Sequence, residues 1–202
     1  RKMDLWQCPV VVTGAASGLG AETARHLAEA GARVTAIDID EVRVRRVGEA
    51  IEGLAIACDL SDTAATEAAF AKAREAHGPA RILVNCVGLA QSERILGDDG
   101  PMPLDHFRRL VDVNLISKFN MMRLAAGDMA KLSPQANGER GLIIFTASIS
   151  AYEGQSGEAA YAASKGGVVS MILPAARELG TYGIRVVGIA PGLFGTATLF
   201  AM

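Results

Sequence analysis

The chain has 202 residues, of which half are hydrophobic, and carries a formal net charge of −2 at pH 7. This length is enough for one large domain with a sizeable core, so we expect residues 1–202 to form a single domain. The small net charge gives no reason to expect binding to nucleic acid or to an anionic membrane.

The cysteines and histidines indicate an intracellular protein without a bound metal. Cys8, Cys58 and Cys86 are odd in number and lack the spacing of metal ligands, which is typical of reduced cysteines. The three histidines are scattered along the chain. No apolar run is long enough to span a bilayer, and no signal peptide is visible. We therefore expect a cytoplasmic location, or the mitochondrial matrix if the source is eukaryotic.

The first predicted elements are a strand, a glycine turn and a helix. The β-branched run Val10–Thr13 leads into Gly14–Gly20, which has the spacing G-x-x-x-G-x-G, and a helical pattern then continues until Gly31. Glycine lets the backbone come close to a pyrophosphate, and a helix N-terminus offers unpaired N–H groups to the phosphates. This order of elements predicts a dinucleotide site.

A carboxylate follows the second predicted strand, Arg33–Ile37. Asp38 can accept both hydroxyls of an adenosine ribose and repels a 2′-phosphate, so it favours NAD over NADP. Arg43, Arg45 and Arg46 offer an alternative, because basic residues beyond this strand can hold a 2′-phosphate. They can equally form the solvated face of the next helix. We favour the carboxylate because it is the nearer group.

Strands and helices then alternate, which predicts a parallel sheet with right-handed crossovers. The further predicted elements are the strand Leu54–Cys58 before Asp59, the helix Thr63–His77, the strand Arg81–Val84, the apolar run Gly141–Ser148 and the strand Ile184–Ile189.

Two stretches between these strands carry further expectations. Gln91–Pro103 is a polar loop at the carboxyl end of a strand, where it can contact substrate or simply be a surface insertion. Leu104–Leu132 predicts one long helix with Phe119 among its buried positions. Asn114 falls within the same apolar stripe, where a polar side chain needs partners or a function.

A tyrosine and a lysine lie four residues apart in a predicted helix after Ser148. Tyr161 and Lys165 therefore share one helix face, and a neighbouring cation favours the phenolate needed for acid–base chemistry. Such a pair is more often a packed ring and a solvated charge. The predicted nucleotide site upstream is what favours the catalytic interpretation here. The helix continues to about Leu179, and Pro174 should bend it.

Taken together, these motifs resemble those of the short-chain dehydrogenase/reductase family from about Val10 to Thr198. The shared residues are Thr13, Gly14, Gly18, Gly20, Asp59, Asn85, Gly88, Asn114, Ser148, Tyr161, Lys165, Pro191 and Gly192. The resemblance implies an α/β fold with a Rossmann-like doubly wound parallel sheet, strand order 3-2-1-4-5-6. It also implies a nicotinamide cofactor and hydride transfer at a carbonyl or secondary alcohol.

The resemblance further implies a role for each catalytic residue. Tyr161 would exchange the proton with the substrate oxygen, and Ser148 would orient that oxygen. Lys165 would hold the nicotinamide ribose and lower the pKa of Tyr161. Asn114 would anchor a water that continues the proton relay.

Three stretches are similar to the short-chain 3-hydroxyacyl-CoA dehydrogenases of type 2. They are Val84–Cys86 with the loop Gln91–Pro103, Phe145–Ser148 through Glu153–Gln155, and Ile189–Thr196. This similarity implies NAD, oxidation of 3-hydroxyacyl-CoA to 3-oxoacyl-CoA and a homotetramer. Substrate would contact Ser148, Gln155 and Tyr161. The implied cofactor residues are Gly14, Ser17, Gly18, Leu19, Gly20, Asp38, Asp59, Leu60, Asn85, Cys86, Gly88, Tyr161, Lys165, Pro191, Gly192, Phe194 and Thr196.

The sequence departs from this pattern in two places. Val87 replaces the usual alanine beside the adenine, a small change that should not prevent binding. The sequence also ends at Met202, before the final helix and seventh strand that the resemblance implies.

Two other functions are compatible with the sequence. The same chemistry could serve a hydroxysteroid, another secondary alcohol or a 3-oxoacyl-carrier protein, although Asp38 disfavours the NADP that carrier-protein reductases generally use. A nucleotide-binding scaffold without turnover would not need Ser148, Tyr161, Lys165 and Asn114.

Overall fold

A six-stranded parallel sheet forms the centre of the molecule in the computed structural model, which describes residues 4–195. Its strand order is β3-β2-β1-β4-β7-β8. The six strands are β1 (Pro9–Thr13), β2 (Arg33–Asp38), β3 (Leu54–Ala57), β4 (Ile82–Asn85), β7 (Gly141–Thr146) and β8 (Ile184–Ile189). Counting only these six strands in chain order gives 3-2-1-4-5-6, so the predicted fold class and strand order are confirmed.

Helices cover both faces of this sheet. They are α1 (Gly18–Glu29), α2 (Glu41–Ala50), α3 (Thr63–His77), α4 (Leu104–Val111), α5 (Ser117–Met129), α6 (Ser150–Glu153) and α7 (Ala159–Gly180). The helix α7 continues through Pro174. Among the described residues, no helix is both long enough and apolar enough to cross a membrane.

Side chains that point to opposite faces of the central strands form two hydrophobic cores. On β1, Val10 and Val12 pack with Val44 of α2 in one core, whereas Val11 packs with Phe70 of α3 in the other. Successive side chains of a strand point to opposite faces, so a continuous run of valines in a central strand buries both faces of the sheet.

The predicted loop Gln91–Pro103 contains a small hairpin. The two-residue strands β5 (Leu96–Gly97) and β6 (Gly100–Pro101) pair in antiparallel fashion, and Ile95 and Leu96 are exposed beside them. The predicted loop therefore includes a short antiparallel pair of strands that the sequence did not indicate.

The predicted long helix is interrupted by a π-turn. Residues Asp112–Ile116 separate α4 from α5, and Asn114 lies within this turn. The bonds of a π-turn span five residues instead of four, so the turn shifts the rotation of the following helix relative to a continuous α-helix. Phe119 is 52% exposed and the neighbouring Lys118 is fully buried, which contradicts the predicted burial of Phe119.

Candidate active site

The glycine turn after β1 forms a cradle at the N-terminus of α1. Gly14 has a φ of 65°, and a Cβ added there would lie 2.6 Å from the Val87 nitrogen. A Cβ on Gly20 would collide with the Gly14 carbonyl oxygen. Both positions therefore require glycine. The side chain of Ser17 makes no cap hydrogen bond, and the first turn of α1 has no acidic residue, so its N–H groups can face an anion.

Asp38 is held in place at the end of β2 by backbone hydrogen bonds. Its two carboxylate oxygens accept one each from the Ala16 nitrogen (3.0 Å) and the Asp40 nitrogen (3.0 Å). Each carboxylate oxygen has further acceptor capacity for a ribose hydroxyl. Of the three arginines that could hold a 2′-phosphate, Arg43 pairs with Asp40 at 2.8 Å and Arg45 with another carboxylate of α2.

Asp59 and Leu60 follow β3 on the same side of the site. The pKa of Asp59 is lowered mainly because the side chain and backbone N–H of Ser61 donate hydrogen bonds to its carboxylate (2.7 and 3.0 Å), and Arg109 adds a smaller effect. Arg109 lies on α4 and lines the same cavity as Asp59. The structure therefore places a cation near Asp59 that the sequence had not indicated.

The end of β4 connects the two parts of the site. The Asn85 side chain is buried, its oxygen accepts a hydrogen bond from the Thr13 hydroxyl at 3.4 Å, and its nitrogen has no partner among the described residues. A Cβ added to Gly88 would lie 3.3 Å from the Lys165 amine and 3.4 Å from the Asn114 amide oxygen. The predicted cofactor loop therefore packs directly against two predicted catalytic residues.

The Asn114 amide joins the π-turn to its surroundings. Its oxygen accepts from the Leu89 nitrogen at 2.7 Å, and its nitrogen donates to the Leu89 oxygen at 2.9 Å and to the Ser164 hydroxyl at 3.0 Å. The side chain thus ties the loop after β4 to α7. A π-turn in the middle of a helix is frequent at functional sites.

Ser148, Tyr161 and Lys165 come together as the sequence predicts. Tyr161 and Lys165 lie one turn apart on α7, with the Lys165 amine 5.6 Å from the centre of the Tyr161 ring. The Lys165 amine also donates to the Thr146 carbonyl at 3.3 Å. Ser148 is buried, and its hydroxyl accepts from the Ser150 nitrogen at 3.1 Å.

The electrostatics of this trio differ from expectation. Burial raises the pKa of Tyr161, hydrogen bonding with Ser148 opposes this, and Glu158 raises it further. Burial also lowers the pKa of Lys165 to about 8. Lys165 is not among the groups that shift the Tyr161 pKa, and burial, the largest cause, raises it, so the expected lowering by Lys165 is not seen.

One cavity of about 1170 Å³ contains both parts of the site. The predicted residues that line it are Gly14, Ser17, Gly18, Leu19, Gly20, Asp38, Asp59, Leu60, Cys86, Gly88, Ser148, Gln155, Tyr161, Lys165, Pro191, Gly192 and Phe194. Asn85 and Asn114 do not line it and are fully buried. Thr196 lies outside the described residues.

Sequence reasoning missed several residues at this cavity. Ile39, Arg108 and Arg109 line it, but nothing in their spacing distinguishes them from ordinary surface positions. Lys118 does not line the cavity, but it contacts the carbonyl of Thr146, which does. Its position four residues after Asn114 in the same apolar stretch is a pattern from which it could have been predicted. Within residues 4–195, no three His, Cys, Asp or Glu side chains are grouped so that they could hold a metal ion.

The glycine cradle, the open helix N-terminus and the Asp38 carboxylate fit a dinucleotide, and comparison with known proteins identifies the class. The family model for short chain dehydrogenase matches residues 9–201. The chain therefore belongs to the short-chain dehydrogenases and is an oxidoreductase, which confirms the family predicted from its motifs.

Individual relatives narrow this class further. A 3-hydroxyacyl-CoA dehydrogenase type-2 from Bos taurus is 44% identical over 195 residues, which cover 94% of this chain and 74% of that protein. The crystal structure of 3-hydroxyacyl-CoA dehydrogenase type-2 from Mycobacterium avium has a TM-score of 0.91 at 33% identity and covers 99% of this chain and 80% of that one.

A second solved structure contains the predicted cofactor. It is 3-ketoacyl-(acyl-carrier-protein) reductase from Brucella melitensis complexed with NADH, with a TM-score of 0.87 at 31% identity, covering 97% of this chain and 80% of that one. The family of this chain and the NADH bound in this structural neighbour confirm the predicted NAD(H) cofactor.

Proposed function

We propose that this protein is an NAD-dependent dehydrogenase that oxidises 3-hydroxyacyl-CoA thioesters to 3-oxoacyl-CoA. The observation that carries the proposal is the 44% identity, over 94% of the chain, to a 3-hydroxyacyl-CoA dehydrogenase type-2. The Mycobacterium avium protein of the same name supports it through a TM-score of 0.91. The grouping of Ser148, Tyr161 and Lys165 at one cavity supplies the chemistry.

The proposed reaction removes a proton and a hydride from one secondary alcohol. Tyr161 takes the proton from the 3-hydroxyl oxygen, and Ser148 donates a hydrogen bond that holds this oxygen in place. NAD⁺, when bound, supplies the acceptor for the hydride that leaves carbon 3. Lys165 holds the nicotinamide ribose from beneath Tyr161, and the Asn114 amide keeps the loop after β4 against α7.

The proposed cofactor contacts follow the cavity from end to end. The backbone N–H groups of the Gly14–Gly20 turn receive the pyrophosphate, and Asp38 receives the adenosine ribose. Pro191, Gly192 and Phe194, which line the same cavity, would contact the nicotinamide end.

The thioester needs room beyond the reacting carbon. A second cavity of about 420 Å³ is lined by Arg94, Ile95 and Leu96 near the hairpin and by residues 154–159. Gln155 and Glu158 line both cavities, so the two spaces adjoin. We assign this second cavity to the part of the substrate beyond the 3-hydroxyl group, with Gln155 between them.

We further propose that the protein works as a homotetramer in the cytoplasm, or in the mitochondrial matrix of a eukaryote. Exposed apolar side chains on the π-turn, α5 and α7 support association between copies. Ile116, Phe119 and Leu173 are 54%, 52% and 56% exposed. Large exposed apolar side chains on neighbouring helices are typical of protein interfaces.

A substrate comparison tests the proposal directly. The full chain is incubated with NAD⁺ and, separately, 3-hydroxybutyryl-CoA, a hydroxysteroid and a 3-hydroxyacyl-carrier protein, and NADH is followed at 340 nm. We expect the CoA thioester to give the highest kcat/KM. A higher value for the steroid or the carrier protein would replace the proposed substrate, and no turnover with any alcohol would favour a scaffold.

A further inference from the structure

Lys118 is a buried charged residue that the proposed reaction does not use. It lies on α5 beneath the active-site cavity, and it is the largest side chain among the fully buried ones of the described residues. Burial of a lone ammonium costs far more than burial of an apolar side chain, so a lysine persists here only with suitable partners.

Two backbone carbonyls are the hydrogen-bond partners of Lys118. Its amine donates to the Asn85 oxygen at 2.8 Å and to the Thr146 oxygen at 3.2 Å. These residues end β4 and β7, the neighbouring strands that lead into the cofactor loop and to Ser148. Lys165 donates to the same Thr146 oxygen at 3.3 Å. The two lysines therefore share one acceptor.

The hydrogen bonds of Lys118 fit a neutral amine. A neutral amine has two N–H groups, an ammonium has three, and the described residues provide two acceptors. The titratable groups that act on Lys118 are Lys165 of α7 and Cys86 of the loop after β4. Burial raises the pKa of the Cys86 thiol, so this thiol supplies no anion at neutral pH. Burial, together with Lys165, places the pKa of Lys118 well below its ordinary value.

We propose that Lys118 is a positioning residue of the active site, which acts through Lys165. As a neutral amine it holds the ends of β4 and β7 together. It also donates to the same Thr146 carbonyl oxygen that accepts a hydrogen bond from Lys165. These contacts keep the Lys165 amine near the Tyr161 ring. Because the Thr146 oxygen is shared, its hydrogen bond stabilises the protonated form of Lys165 less than an unshared acceptor would.

This arrangement has a consequence for cofactor binding. Lys165 has a pKa of about 8, so NADH affinity should fall as the pH rises through about 8 and the ammonium is lost. Removal of the Lys118 N–H groups would leave the Thr146 oxygen to Lys165 alone. Lys165 would then keep its proton to a higher pH, by about half a unit or more.

Two variants separate hydrogen bonding from mere packing. Lys118→Met keeps a similar length without any donor, whereas Lys118→Gln keeps two N–H groups on one nitrogen but cannot be charged. The dissociation constant of NADH is measured by nicotinamide fluorescence between pH 6.5 and 9.5. We expect the pH at which affinity falls to rise in Lys118→Met and to stay at the wild-type value in Lys118→Gln.

Other outcomes would overturn the proposal. If Lys118→Met weakens NADH binding by the same factor at every pH, the residue has only a structural role. If both variants shift the pH dependence alike, Lys118 acts as a cation and the neutral amine is wrong. An affinity of the wild type that does not change with pH contradicts the role of Lys165 at the ribose, and the proposal fails with it. None of these results depends on the acyl-CoA substrate.

A second measurement covers the case in which Lys118→Met does not fold. An amine that is neutral when folded takes up a proton on unfolding, so the stability of the protein rises with pH up to the pKa of the unfolded lysine. The unfolding constant of the wild type should therefore fall about tenfold more per pH unit near pH 8 than that of Lys118→Gln. Equal slopes, measured by urea unfolding at several pH values, would show that Lys118 is charged in the folded protein and would overturn the proposal.

Discussion

The two ends of the active-site cavity are built in different ways. At the proposed adenosine end the geometry is set mainly by the backbone, with a turn that only glycine can form and a carboxylate fixed by two N–H groups. At the catalytic end the groups are side chains removed from water, and burial shifts the pKa values of Tyr161, Lys165 and Lys118. Changes at the first end should therefore affect cofactor affinity, and changes at the second should affect rate and pH dependence.

The largest effect should follow from Lys165→Met, which removes a group assigned both to cofactor binding and to catalysis. We expect kcat to fall by about 10²- to 10⁴-fold, since the group that positions the nicotinamide ribose beside Tyr161 is lost, and NADH affinity to fall as well. Steady-state kinetics and NADH fluorescence measure the two effects. Lys72→Met, on the exposed face of α3, is the matched control and should leave both unchanged. An unchanged kcat in Lys165→Met would refute the assigned role.

Gly20→Val should act on affinity alone. The added side chain collides with the Gly14 carbonyl and displaces the turn that receives the pyrophosphate, so we expect NADH binding to weaken by roughly 10- to 100-fold, or about 1.4–2.8 kcal/mol. Gly127→Val is the control, because a Cβ at this helix position meets nothing within 4 Å. Wild-type NADH affinity in a folded Gly20→Val protein would be incompatible with the proposed phosphate cradle.

Asp38→Asn should relax the preference between cofactors. The wild type should strongly prefer NAD⁺, because the carboxylate repels a 2′-phosphate. The variant keeps the size of the side chain, loses its charge and replaces one of the two oxygens that accept backbone N–H groups, so the ratio of kcat/KM for NAD⁺ to that for NADP⁺ should fall by about tenfold. Equal kcat/KM values for the two cofactors in the wild type would show that Asp38 does not select the cofactor.

The smallest of these effects should come from Gly88→Ala, where the two ends meet. The new Cβ would lie 3.3 Å from the Lys165 amine, so this amine must move by a few tenths of an ångström. Because misplacement by about 1 Å can cost 10²-fold, we expect a several-fold loss in kcat. Gly166→Ala, with no atom within 4 Å of its Cβ, serves as control. A loss of equal size in both variants would show that the contact between the new Cβ and Lys165 is not its cause.

The contrast between the two ends also explains what the sequence could predict. Backbone features are visible as residue types in order, so the glycine spacing and Asp38 pointed to the adenosine end, and β-branched runs located the sheet strands. The motif that pairs Tyr161 with Lys165 predicted that these two side chains lie together on α7, at the proposed catalytic end. The order of the strands in the sheet was predicted from the resemblance to the short-chain dehydrogenase/reductase family.

The properties that depend on tertiary packing could not be predicted. The π-turn at Asp112–Ile116 changes which face of the helix is buried, so Lys118 lies inside and Phe119 outside. The hairpin at residues 96–101 has two-residue strands, too short for a periodic signal. The direction of the Tyr161 pKa shift depends on how deeply the ring is buried, which spacing along a helix does not reveal.

The central claim is that Tyr161 exchanges the proton with substrate, and one comparison tests it most directly. Tyr161→Phe keeps the ring and deletes the hydroxyl, so kcat for 3-hydroxybutyryl-CoA should fall by at least about 10²-fold while NADH affinity stays near the wild-type value. Tyr152→Phe, which changes a tyrosine that is 70% exposed, should behave as wild type. If Tyr161→Phe turns over at a rate similar to the wild type, Tyr161 is not the acid–base residue and the proposed mechanism is wrong.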